Sequence, residues 1–554
     1  MPIRSIYILF FLFLYIAYAL IVKSPFIFGD ELEYWSMIRN IFTGANLDVH
    51  AQYGFLFPIL FSPFFLVDYP YSYILIKIFN SVIFTLSFFP IFLLFKNLNY
   101  LNKRNTNVFL ISLIVIAHPV GTMVGIVWAD ILTFFLVCLF LYQLVNFSKF
   151  PNICNFLLLN LVIILIFESK YFVGTICFIS TIITLTFMSI NSNKFKNSFI
   201  FLSIALNLVP ILFWIYRNHS LSKHKTLFGY EGMGTDPPAY ASVSYSFDSI
   251  LSIFTTFFYN FGYLISSTFG VLIIFFFAFV PKVFLKFNDS EKFILVFLLF
   301  FSVGTCIWSA LAFFISDQPE FMPNGRYLVY SIPFLLAFTF YLAFTNKFFS
   351  DFILCKKNIF TISLLILFFL SIFPPLKNIF HYTVIQNIDF IVFMKVILLD
   401  KFIWGVDPYN YNFFELFFYL MFILFVFFTF IYSIYKRKYY FVYFVLVWYL
   451  ASGITNINYV SMMSSSVYPA SKISMLIANS NLNSKVIVDD EIAQSIYYWL
   501  KFWNDKEPTM KSLIDIMPND KLDPEYRNKY YLTKKDLDYP LVLKSKKFML
   551  YELK

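Results

Sequence analysis

Stretches of about twenty consecutive apolar residues recur along most of this chain, and a helix of that length crosses the ~30 Å hydrocarbon core of a bilayer. In hydrocarbon every backbone N–H and C=O must be satisfied within its own segment, so such runs fold as membrane-spanning helices. About thirteen can be placed, starting near Ile6, Tyr71, Val108, Ala129, Phe156, Tyr171, Phe199, Gly262, Phe293, Leu328, Ile359, Phe413 and Tyr439. With 60% hydrophobic and 13% charged residues among 554, a soluble domain of this size is excluded.

The net charge of +10 does not indicate a nucleic-acid partner, because the basic residues fall mainly in short segments between apolar runs. Arg4, Lys96, Lys103, Arg104, Lys149, Lys194, Lys196, Lys282, Lys286, Lys292, Lys347, Lys356, Lys357, Lys436, Arg437 and Lys438 mark one side. Asp30, Glu31, Glu33, Asp48, Asp130, Glu168, Glu231, Asp236, Asp317 and Glu320 collect on the other. By the positive-inside rule the amino terminus is cytoplasmic and the acidic connections are extracytoplasmic. With an odd number of spans, the carboxyl terminus is extracytoplasmic too. The five cysteines lack a CxxC pattern and imply neither a disulfide framework nor a thiolate metal site.

Internal connections are short and several external ones are long, at about 23–70, 217–248 and 377–412. Within the first, "YGFLFPILFSPFFLV" is too short and too broken by proline to span, and reads as an interfacial or re-entrant helix. After about Asn456 charge rises: "NSKVIVDDEIAQSIYYWLKFW" reads as a buried strand, a turn and an amphipathic helix, with "KYYLT" and "KSKKFMLYEL" as further strands. The fold class is therefore an α-helical polytopic membrane protein of about thirteen transmembrane helices, followed by a small extracytoplasmic α/β domain of roughly a hundred residues. The division falls at 1–456 and 457–554.

Asp30, Glu31 and Glu33 stand where the first helix leaves the bilayer. As structural features they would cap and favour the start of "ELEYWSMIRNIF". Asp130 heads the otherwise apolar "DILTFFLVCLFLYQL", where an unpaired carboxylate is expensive. Three cations, Lys170, Arg217 and Arg326, fall on the acidic face against the positive-inside bias. Singly, each reads as an interfacial residue that snorkels; together they read as partners for anions or for those acids. The planar fork of arginine suits phosphate. His50, His219, His224 and His381 show no metal-ligand spacing, and His118 beside Pro119 reads as a packed helix-end residue.

In their order, these pieces resemble the GT-C superfamily of integral-membrane glycosyltransferases, in particular the branch using polyprenyl-phosphate sugars. Protein O-mannosyltransferases and lipid A aminoarabinose transferases belong there. The matching segments are "GDELEYWSMIRNIF", "GFLFPILFSPFF", "WADILTFFLVCLFLY", "FESKYFVG", "FWIYRNHS" and "GRYLVYSIPFLLAF". Ser169-Lys170 stands where this branch often has Thr-Lys, and Glu168 beside it is positioned to neutralise the lysine. The resemblance implies an inverting transfer from a polyprenyl-phosphate sugar, with Asp30 as general base. Glu31 would hold the acceptor or orient the base, and Asp130 would orient the cations, bind sugar hydroxyls or help hold a divalent cation. Lys170, Arg217 and Arg326 would bind the donor phosphate. Membrane lipids and an acceptor glycan, lipid or protein are the implied partners. A transporter or flippase is the alternative, but carriers usually place ionisable groups within broken helices of two related halves, and no repeat is evident here.

Overall fold

The computed structural model describes residues 3–22, 29–44, 54–98, 105–191, 197–221, 247–315, 325–373, 413–479, 486–489, 509–511, 526, 529–535, 537–544 and 548–553. The helix expected after "VIVD" and most of the long connections at 217–248 and 377–412 lie outside the described residues. The helices are α1 (Ile3–Ile21), α2 (Gly29–Thr43), α3 (Leu56–Phe61), α4 (Tyr69–Leu86), α5 (Phe88–Leu98), α6 (Asn105–Ala117) and α7 (Asp130–Lys149). Then come α8 (Ile153–Ser169), α9 (Tyr171–Asn191), α10 (Asn197–Leu221), α11 (Phe247–Ser267), α12 (Val271–Phe277), α13 (Pro281–Phe284) and α14 (Asp289–Ile315). The series closes with α15 (Gly325–Leu328), α16 (Ile332–Thr345), α17 (Lys347–Ile353), α18 (Lys356–Ile372), α19 (Phe413–Lys436) and α20 (Tyr440–Asn479).

Among the described residues eight helices are long and apolar enough to cross a membrane, or ten if two bent pairs each count as one span. The chain is thus a multi-pass membrane protein, and the described residues do not by themselves supply thirteen full-length spans. Helices do begin near every expected start except Gly262. Two of them, α1 and α8, are apolar over stretches of 17 residues, Ser5–Ile21 and Ile153–Ser169, and at 1.5 Å per residue these reach about 25 Å, at the lower limit for a crossing. The bent pairs break at Pro119, by 48°, and at Asn346, by 103°. Asn346 is extended and its side chain accepts the Phe349 N–H at 3.0 Å, so it starts a new helix rather than continuing the old one.

The run expected from Gly262 is two structures. Helix α11 ends at Ser267, and Phe269 (φ 54°) and Gly270 (φ 77°) turn the backbone through the left-handed region. A phenylalanine adopts that conformation only when packing compensates. Phe269 is fully buried, with ring contacts to Phe441, Phe444 and Trp448. The next helix, α12, has seven residues and cannot span. The continuous hydropathy of the segment hid a tertiary anchor.

The chain divides into two compact units. The first comprises Met1–Phe13, Val82–Thr122 and Asp130–Asn456. Here α8 and α14 each pack on both α7 and α9, flanked by α5, α10 and α11. Helix α14 opens on a reciprocal cap: Asn288 accepts the Glu291 N–H and Glu291 accepts the Asn288 N–H, both at 2.9 Å.

The second unit comprises Leu14–Ser81, Met123–Ala129 and Ile457–Lys554. In it α2 packs on α3 and on the 3-10 turn Ser62–Leu66. Phe57 and Phe65 face α2, with Phe57 on Tyr34 (5.2 Å) and Phe65 on Trp35 (4.7 Å), while Ile59, Leu60 and Leu66 stay exposed. This division of apolar faces suits an interfacial helix. The same unit holds a sheet of β1 (Val486–Asp489), β2 (Thr509–Lys511), β3 (Lys529–Thr533), β4 (Leu541–Lys544) and β5 (Met549–Leu553) in the order β2-β1-β3-β5-β4. Strand β1 runs parallel to β2 and β3, and β5 antiparallel to β3 and β4. Ile487, Tyr531 and Leu553 form its buried core with Tyr526.

Candidate active site

A one-residue turn in the first unit builds a charged centre. Helix α8 ends at Ser169, α9 begins at Tyr171, and the residue between them, Lys170, is extended with its N–H on the Ile166 carbonyl at 2.7 Å. Two helices joined this tightly must touch, and Gly174 makes that possible: a Cβ there would lie 2.4 Å from Phe167 Cα. The turn presents Lys170 to Asp130 at the first position of α7, with Nζ to Oδ1 at 2.5 Å. The Tyr330 hydroxyl, from the break between α15 and α16, donates to the same oxygen at 2.7 Å. One turn further along α7, Thr133 and Ser169 share a hydrogen bond at 2.8 Å.

Asp130 is 0% exposed and Lys170 11%. A carboxylate so far from water is tolerable because an ammonium and a phenol both compensate it. Lys170 also stands 5.4 Å from the Phe172 ring and 5.8 Å from the Tyr330 ring, where aromatic faces favour a cation. Around it, Tyr171 stacks on Trp214 (4.5 Å), and Phe172 stacks on Trp308 (5.5 Å) and meets Tyr327 edge-on (5.0 Å). Trp214 and Arg217 share the last turns of α10, which packs on α8 and α9, and Arg217 interacts electrostatically with Glu168. Lys170 is thus ion-paired with Asp130, and Arg217 stands in the field of Glu168.

The second unit has its own charged centre. Glu31, in the first turn of α2, is 0% exposed. Its Oε1 accepts from the Tyr73 hydroxyl at 3.0 Å and from the Val127 backbone N–H at 3.1 Å. Lys77, one helical turn after Tyr73 on α4, is 1% exposed; its Nζ donates to the Val22 carbonyl at 2.6 Å and lies 4.5 Å from the Tyr73 ring centroid. Glu31 and Lys77 interact electrostatically. Asn80, next on the same helix face, donates to the Ile126 carbonyl at 3.3 Å, so α4 holds the segment that carries Val127 directly as well as through Glu31.

Of the six residues given roles from the sequence, Asp130 and Lys170 form the first centre, Arg217 lies in the last turns of α10, which packs on α8 and α9, and Glu31 belongs to the second centre. Asp30 lies in the first turn of α2 and Arg326 in α15, with side chains outside the described residues. Three participants escaped sequence reasoning. Tyr73 and Tyr330 are two among 39 tyrosines, with no local mark. Lys77 had one: a lysine inside the span Tyr71–Leu98 needs a compensating partner. His118 is buried, as its place beside Pro119 suggested, and its Nδ1 accepts the Val120 N–H at 3.3 Å. Among the described residues no three His, Cys, Asp or Glu side chains come together as a metal site. At Asp130 a divalent ion would meet the ammonium of Lys170, so that carboxylate does not suit one.

The chain is a multi-pass membrane protein. No model of a known protein family matches the chain, and no curated protein does. Two solved structures of ArnT from Cupriavidus metallidurans do match it. The crystal structure of ArnT bound to undecaprenyl phosphate aligns with a TM-score of 0.52 and 9% identity, covering 99% of this chain and 97% of that one. The structure of ArnT in the apo state aligns with a TM-score of 0.50 and 10% identity, covering 97% of each. The likeness runs nearly end to end and concerns the fold.

Proposed function

We propose that this protein is an inverting glycosyltransferase that moves a sugar from a polyprenyl-phosphate donor to an extracytoplasmic acceptor, a glycan, lipid or protein. The observation that carries this reading is the Lys170 ammonium, held by buried Asp130 and Tyr330 at the head of apolar helices. The ArnT-like fold supports it, since the neighbour was crystallised with undecaprenyl phosphate. In this reading Asp30 takes the proton of the acceptor hydroxyl or amine as that atom attacks the anomeric carbon. The bond from that carbon to the phosphate oxygen breaks, and polyprenyl phosphate departs with the electron pair. Lys170, Arg217 and Arg326 stabilise the charge that develops on the phosphate. Asp130 orients Lys170, and burial of Glu31 favours its role as orienter of Asp30 over contact with acceptor.

The basic connections favour a cytoplasmic amino terminus, with the site and the domain 457–554 outside. A donor carried across on a lipid fits that topology, because nucleotide sugars are made in the cytosol. The test uses purified protein in vesicles with radiolabelled polyprenyl-phosphate sugars and a membrane extract as acceptor. Labelled product is expected from the wild type, falling about a hundredfold or more in Asp30→Asn. Undiminished transfer by Asp30→Asn removes the base assignment. Movement of labelled donor across the bilayer with no product would overturn the enzyme in favour of a flippase.

A further inference from the structure

None of the roles above uses Lys77, a lysine almost wholly enclosed in the second unit. An ammonium or a carboxylate alone in apolar surroundings is costly, and each becomes tolerable when the other stands near it with hydrogen bonds to both. The contacts satisfy that condition. Lys77 Nζ donates to the Val22 carbonyl at 2.6 Å and lies 4.5 Å from the ring centroid of Tyr73, whose hydroxyl donates to Glu31. Val22 follows the last residue of α1, and Glu31 sits in the first turn of α2. The ammonium therefore holds the start of the connection that leads to Asp30 directly, at the Val22 carbonyl, and reaches its end through the Tyr73 ring whose hydroxyl bonds Glu31. The Val127 N–H adds a third tie to the same carboxylate at 3.1 Å.

We propose that Lys77 is a positioning residue: it is the counter-charge that keeps Glu31 a buried carboxylate, and so fixes the first turn of α2 that carries Asp30. Its consequence for catalysis rests on the glycosyltransferase reading, whereas its consequence for α2 does not. The competing role is a strut, in which Lys77 matters for its bond to the Val22 carbonyl and for packing. The two differ in what happens when Glu31 loses its charge. Lys77→Met strands a carboxylate in an apolar site, and Glu31→Gln in the same chain removes the stranded charge while keeping the shape. A strut would gain nothing from that second change.

Hydrogen exchange of the full-length protein in lipid nanodiscs reads this directly. In Lys77→Met the amides of Glu31 to Trp35 are expected to exchange about tenfold faster than in wild type, while α9 is unaffected. Lys77→Arg, which keeps the charge, is expected to lie nearer wild type. Lys77→Met with Glu31→Gln is expected to exchange more slowly than Lys77→Met alone. Unchanged exchange in Lys77→Met, or no slowing on adding Glu31→Gln, overturns the proposal. If Lys77→Met does not fold, recovery of folding by the double variant supports the counter-charge, and failure of both overturns it. In the transfer assay Lys77→Met is expected to lower kcat about tenfold with donor KM within about twofold, because the base is displaced and the donor site is not. A wild type that transfers nothing defeats the glycosyltransferase reading alone, and the exchange result still decides the role of Lys77.

Discussion

At the scale of single residues, Asp130 shows what an apolar bundle demands of a carboxylate. Its Oδ1 receives an ammonium from one element and a phenol from another, so losing either leaves part of the charge unanswered. Tyr330→Phe keeps the ring beside Phe172 and the ion pair, and deletes one hydrogen bond to a charged acceptor. The expected loss is about 2 kcal/mol of stability, read as a lower unfolding temperature in detergent; an unchanged temperature would mean that the bond contributes nothing. On the proposed mechanism Lys170→Gln is expected to lower transfer about a hundredfold, since the variant would no longer stabilise charge on the departing phosphate. Asp130 and Lys170 were legible in the sequence because charge is scarce in such runs. Tyr330 was not, because tyrosine is everywhere in this chain and only the fold brings one hydroxyl to one carboxylate. The pairing of Lys77 with Glu31 was hidden for a related reason: they are far apart in sequence and meet only when the chain folds α4 back toward the start of α2.

At the scale of elements, the helix boundaries follow hydropathy closely, but the breaks within apolar runs follow packing. Both Pro119 and the polar Asn346 mark breaks that the sequence displays. The break at Phe269 and Gly270 has a glycine but no charged interruption, and its cause is a buried phenylalanine among distant rings. The α8–α9 hairpin depends on a similar close approach. In Gly174→Ala the new Cβ would meet Phe167 Cα, N and Cβ at 2.4, 2.5 and 2.6 Å, and backbone atoms cannot step aside as a flexible side chain can. The helices must separate, moving Lys170, the single residue that joins them. The expected cost is about 2 kcal/mol, in the range of overpacked cores, with a parallel fall in transfer rate. Wild-type unfolding temperature and rate in Gly174→Ala would show that the hairpin relaxes freely.

At the scale of the whole molecule, the charge asymmetry of the connections implies an orientation that the protein's own cysteines can check. Cys154 and Cys355 are exposed, and Cys138, Cys177 and Cys306 are buried. Cys154 lies five residues after Lys149, in the first turn of α8, and Cys355 directly precedes Lys356 and Lys357, so both border connections that the positive-inside rule assigns to the cytoplasm. A thiol must be reachable as thiolate to react, which leaves the three buried cysteines silent in the folded protein. A membrane-impermeant maleimide is therefore expected to modify Cys154 and Cys355 in inside-out vesicles and neither in intact cells. Modification of either in intact cells would invert the assignment, turning the first turn of α2 and the head of α7 toward the cytosol. A polyprenyl-linked donor would then lose its rationale, since a transferase facing the cytosol has nucleotide sugars at hand. The labelling pattern thus bears on the donor as well as on the topology, without altering a single residue of the chain.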